Sequence, residues 1–104
     1  MAKPKVYIVS RGSHDYSVAA EHGDIVYLFE DKANVFASDK LVKTIEERLA
    51  GSTPDDYLIL SGSMLPSSVA WHVMMRKHGL VNNLIFSFKN ENYERRTIRG
   101  TQFA

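Results

Sequence analysis

Tyr57-Leu58-Ile59-Leu60-Ser61-Gly62-Ser63 is the stretch that decides the fold. Four consecutive apolar residues have no alternation, which is the signature of a strand covered on both faces of a sheet. Three small polar residues then break the run. A helical stretch from Met64 to His78 follows directly, and Gly79 closes it. Strand, tight loop and helix in that order make an α/β unit.

Working outward, Val6-Tyr7-Ile8-Val9 is a strand of the same kind, followed by the loop Ser10-Arg11-Gly12-Ser13. Ser13 is expected to cap a short helix over Asp15–Glu21, closed by Gly23. Ile25–Phe29 reads as a strand, Asp31-Lys32 as a turn, and Ala33–Phe36 as a shorter strand. Ser38 is placed as the N-cap of a helix with Asp39 in its first turn. Leu41, Ile45 and Leu49 make its apolar stripe, and Lys40, Lys43, Glu46 and Glu47 its wet side. Leu84–Phe88 and Tyr93–Ile98 flank the polar turn Lys89-Asn90-Glu91-Asn92 and read as a β-hairpin. The expectation is a single small α/β domain over residues 1–104, with a mixed sheet of roughly five strands flanked by helices and ending in an antiparallel hairpin. Residues 100–104 are expected to be a frayed tail. The order of strands in the sheet is not readable.

Composition narrows the function classes. A chain of 104 residues, 44% hydrophobic, supports one modest core. Its lack of cysteine removes disulfides, thiolate catalysis and cysteine-ligated zinc. No HExxH and no calcium-type carboxylate loop occurs, so neither a metal nor any other cofactor is expected. No apolar run approaches the roughly 20 residues of a membrane span. Met1 to Lys5 lacks the apolar stretch of a leader. The expected place is therefore the cytoplasm, the host cytosol if the protein is viral. A net charge of +1 gives no drive toward membrane or duplex nucleic acid.

The helix from Met64 to His78 is apolar over more than one stripe. Met64, Leu65, Val69, Ala70, Trp71, Val73, Met74 and Met75 surround it, with Ser67, Ser68, His72, Arg76, Lys77 and His78 scattered between. Either the core wraps this helix widely, or a second apolar face serves a homodimer through Met64, Trp71, Met74 and Met75.

Two loops share a chemistry. Ser10-Arg11-Gly12-Ser13-His14 and Ser61-Gly62-Ser63 each leave a strand for a helix. Ligands of open α/β sheets bind beyond the carboxyl ends of strands. Unpaired N–H groups at a helix start suit phosphate, glycine permits close approach, and Arg11 offers a bidentate contact. The alternative is that the serines only cap and the glycines only turn. Neither loop is a P-loop or dinucleotide fingerprint, and no GxSxG occurs. His14, beside Asp15, is the candidate acid or base, with a capping or surface role as the alternative. His22 and His78 precede glycines at helix ends and read as structural, and His72 as a buried or interface histidine. Asp55-Asp56 reads as a solvated turn. Arg95, Arg96 and Arg99 near Tyr93 read as a charged guard on an edge strand rather than a nucleic-acid grip.

In layout the chain resembles the small viral ring nucleases, anti-CRISPR proteins of archaeal viruses and phages. The likeness lies in the opening strand Lys5-Val6-Tyr7-Ile8-Val9, in Leu60-Ser61-Gly62-Ser63 before an apolar helix, and in the hairpin within Asn82–Ile98. The resemblance implies a dimeric α/β sandwich that binds a cyclic oligoadenylate at its dimer interface. It also implies a histidine directly after the central glycine, where this chain has Ser63. Binding without cleavage is the expectation that follows.

Three functions are therefore expected in turn. The first is a phage-type accessory protein that binds a phosphate-bearing small molecule and sequesters a cyclic nucleotide immune signal. The second is a module that docks on a host protein through the apolar helix. The third is a metal-independent phosphodiesterase using His14.

Overall fold

The computed structural model describes residues 3–104. Met1 and Ala2, part of the stretch read for a leader, lie outside them. The strands are β1 (Lys5–Ser10), β2 (Asp24–Phe29), β3 (Tyr57–Ile59), β4 (Leu80–Ser87) and β5 (Asn92–Arg99). The helices are α1 (Ser38–Arg48) and α2 (Met64–His78), with 3-10 turns at Ser17–Glu21 and Gly100–Gln102. The sheet order is β2-β1-β3-β4-β5. All pairings are parallel except the β4–β5 hairpin. This is the mixed five-stranded α/β domain that the sequence predicts.

Alternation along the strands sorts their side chains into two cores. Tyr7, Val9, Leu28, Leu58 and Val81 point to one face, where Leu41, Ile45 and Leu49 and the α2 residues Ala70, Val73 and Met74 cover them. Val6, Ile8, Ile59, Leu84 and Tyr93 point to the other, under Tyr16 and Ala19. The doubly apolar strands are thus explained: two helices cover one face and the segment around the first 3-10 turn covers the other. Met74, expected in a dimer contact, is instead buried in the chain's own core, and Met75 packs against it.

Local chemistry explains where the elements depart from expectation. Ala33–Phe36 is not a strand. The Asn34 Oδ1 accepts the Phe36 N–H at 3.0 Å, a side-chain turn that redirects the chain into α1. The helix placed over Asp15–Glu21 is only the 3-10 turn Ser17–Glu21. Asp15, not Ser13, supports its start by accepting the Ser17 N–H at 2.9 Å. That bond holds the Asp15 carboxyl below its ordinary value. β4 begins at Leu80 rather than Leu84, because Asn82 and Asn83 are satisfied inside the sheet. Asn82 donates to the carbonyls of Pro54 and Asp56 and accepts from the Thr97 hydroxyl. Asn83 accepts from the Trp71 indole and donates to the Arg96 carbonyl.

Asp56 is buried, not solvated. Its two oxygens accept the N–H groups of Lys5, at 2.9 Å, and Thr53, at 2.8 Å. β5 is a sheet edge carrying exposed Arg95 and Arg96, and Arg96 is 3.0 Å from Glu94. At residues 100–104, Gly100–Gln102 forms a 3-10 turn, and the Phe103 ring meets Trp71 edge-on with centroids 6.3 Å apart.

Candidate functional site: the cleft beyond β1 and β3

The chain runs from β1 outward to β2, then returns across β1 to β3. The order therefore reverses between β1 and β3, and the crevice beyond such a reversal is where open α/β sheets hold ligands. Both serine–glycine loops leave the sheet at this point. They are joined directly. The Ser61 hydroxyl accepts the Ser10 N–H and donates to the Ser10 carbonyl, both at 2.9 Å. Ser67, in the first turns of α2, donates to the Ser61 carbonyl at 3.1 Å.

Gly62 sits at φ +73°, and a Cβ there would lie 3.0 Å from both Cβ and Oγ of Ser10. Only glycine combines that backbone with so close an approach. The result is a cleft of about 830 Å³ lined by Ser10, Gly12, Gly62 and Ser63 from the two loops and by Glu30, Asp31, Lys32, Asn34 and Phe36 from the segment after β2. The Ser63 side chain makes no capping bond to α2. The first N–H groups of α2 have no partner within the helix, and Pro66 has none to offer.

The expected site residues divide. Ser10, Gly12, Gly62 and Ser63 meet on the cleft wall. Ser61 ties the loops together, so its hydroxyl is occupied. Arg11 does not line the cleft. Its guanidinium pairs with Glu30 at 3.0 Å and lies over the Tyr27 ring, 5.2 Å from its centroid. Ser13 and His14 are exposed. His14 sits against Tyr16, ring centroids 4.7 Å apart, on the sheet face opposite the helices and away from the cleft wall.

The remaining histidines have structural surroundings. His22 hydrogen-bonds the Tyr93 carbonyl at 3.0 Å and meets Tyr57 edge-on. His78 bonds Ser52 at 2.8 Å, and burial with Lys77 beside it lowers its pKa. His72, expected among apolar neighbours, is exposed in the groove between α1 and α2. Among the described residues, no three His, Asp or Glu side chains converge as metal ligands, and no helix is long and apolar enough to cross a membrane.

Sequence reasoning missed the lining after β2. Asp31 reads as part of a turn, Phe36 as part of a strand and Glu30 as neither, and the one signal that marks them is that they follow β2 beside the reversal. The charge of the cleft is accordingly mixed, not positive: Glu30, Asp31 and Lys32 all line it, and Arg11 is held by Glu30.

Met64 and Trp71, the other two expected contact residues, line a second, apolar groove with Leu60. Leu60, Met64 and Phe103 are exposed around Trp71, and Ile85 is exposed two positions along β4 from Asn83, which accepts the Trp71 indole.

Residues 4–99 match a family model described as phage Pam3 gp32-like protein. The match agrees with the phage side of the layout resemblance and does not extend to ring nucleases. No curated protein and no solved structure matches the chain.

Proposed function

The chain belongs to the phage Pam3 gp32-like family, and for this phage protein we propose the binding of a small, phosphate-bearing ligand in the cleft beyond β1 and β3. The supporting observation is the Ser10–Ser61 tie, which holds two glycine-containing loops and the start of α2 around one cleft at the strand-order reversal. Anion recognition then rests on main-chain N–H groups at the start of α2 and on the Ser63 hydroxyl, because Arg11 is engaged by Glu30. In its narrower form, suggested by the resemblance to viral ring nucleases, the ligand is a cyclic oligoadenylate signal held without cleavage. Ser63 follows Gly62 where that family has histidine, and His14 stands on another face.

Thermal unfolding in the presence of inorganic phosphate, nucleoside monophosphates, cyclic dinucleotides and a cyclic oligoadenylate tests this. A ligand at a hundredfold excess over its Kd stabilises by about 2.7 kcal/mol. No shift with any of these compounds overturns the reading.

A second reading has its own observation. Leu60, Met64 and Phe103 leave an apolar surface around Trp71, and the neutral pair Glu94–Arg96 lies on β5 opposite Ile85 and Asn83. Such a surface suits a second copy of the chain across a two-fold axis, and a host protein is the other occupant. Sedimentation that finds only monomer at micromolar concentration removes the homodimer.

A further inference from the structure

Asp31 and Phe36 line the same cleft as Gly62 and Ser63, and the fold makes little use of either side chain. Asp31 is exposed and, among the described residues, has no hydrogen-bond or ion-pair partner. Phe36 is 95% exposed, held out by the turn at Asn34. The lining carries both kinds of group. The α2 side presents N–H and O–H donors, and the segment after β2 adds Lys32 and Asn34 beside two carboxylates, of which Glu30 is held by Arg11 and Asp31 is free. A bare phosphate uses the donors and leaves the Asp31 carboxylate without one. A ligand that satisfies both has its phosphate at one end and hydroxyl donors at a distance from it. The exposed ring of Phe36 adds a platform for a planar group.

Resting on the phosphate-binding reading above, we propose that the ligand is a ribonucleotide. Its phosphate lies against Gly62 and Ser63, its ribose 2′-hydroxyl donates to the Asp31 carboxylate, and its base stacks on Phe36. A carboxylate just beyond the second strand, paired with a glycine-bearing loop after the first, takes ribose hydroxyls in other open α/β sheets. Here Asp31 follows β2 and Gly12 follows β1. The carboxylate thereby acts as a selector: it rewards the 2′-hydroxyl, which a 2′-deoxyribose lacks.

Isothermal titration of the whole chain with the four common ribonucleoside 5′-monophosphates, their 2′-deoxy forms and inorganic pyrophosphate separates the possibilities. The wild type should bind a ribo form about tenfold more tightly than its deoxy form, the scale of one hydrogen bond to a charged group. Asp31→Ala should abolish that preference, and Phe36→Ala should weaken both forms. Both positions are exposed, so circular dichroism should report an unchanged fold in each variant. Equal binding of ribo and deoxy forms, or a preference that survives Asp31→Ala, overturns the ribonucleotide assignment and leaves phosphate binding in place. Binding of pyrophosphate without any nucleotide does the same. No binding of anything overturns both.

Discussion

The Ser61 hydroxyl engages both main-chain groups of Ser10, accepting its N–H and donating to its carbonyl at 2.9 Å each. One side chain therefore sets the spacing of two loops that lie 51 residues apart in the chain. Ser61→Ala strands both groups of Ser10 in a partly buried place. It should lower stability by about 1–2 kcal/mol in urea unfolding, with an unchanged slope. Ser61→Thr keeps the hydroxyl and should lose less.

Gly62→Ala tests the close approach. The left-handed backbone costs an alanine about 1–2 kcal/mol, and its methyl would press on Ser10. The variant should unfold at lower temperature and lose affinity for any ligand of the cleft. At Gly51, where a Cβ meets nothing and no positive φ occurs, the same change should not destabilise by that amount.

Asp56 clamps the start of β1 to the turn before β3 through its bonds to Lys5 and Thr53. Asp56→Ala leaves two N–H groups without their charged acceptor and should cost about 3 kcal/mol. It lies at the end of the sheet away from the cleft. Once the loss of folded fraction is allowed for, ligand affinity should change less than in Gly62→Ala.

His78 gives a pH dependence with a definite sign. Burial, then Lys77, lowers its pKa in the folded chain. As pH falls through the ordinary imidazole value of about 6.5, the unfolded chain binds the proton first. Stability from this group is therefore intact above that pH and declines below it, until the lower folded value is passed. The melting temperature of the wild type should fall more steeply between pH 7 and pH 5.5 than that of His78→Gln. Equal slopes would remove His78 as the source.

Much of the fold was legible because it rests on local chemistry. The unbroken apolar runs at Val6–Val9 and Tyr57–Leu60 announce strands covered twice, although β3 stops at Ile59 and Leu60 is exposed, and α2 runs from Met64 to His78 with Gly79 as its left-handed cap, as the sequence predicts. The misreadings share a cause. Ala33–Phe36 had strand composition, but one side chain, Asn34, turned it. Asp56 reads as part of a solvated turn, and the hairpin's first strand as starting at Leu84, after Asn82 and Asn83, because no periodicity reveals partners 12 to 51 positions away.

The cleft divides in the same way. Its two loops were legible from glycine and serine at strand ends, while the lining after β2 required the sheet order. By itself the sequence determined a mixed α/β sheet and two loops chemically suited to an anion, since periodicity and small residues act over a few positions. Only the tertiary structure decided that β1 and β3 are neighbours, that Ser10 and Ser61 join their loops, and that Asp31 and Phe36 line the same cleft. Strand order is set by how distant apolar faces bury one another, and no local pattern carries that information.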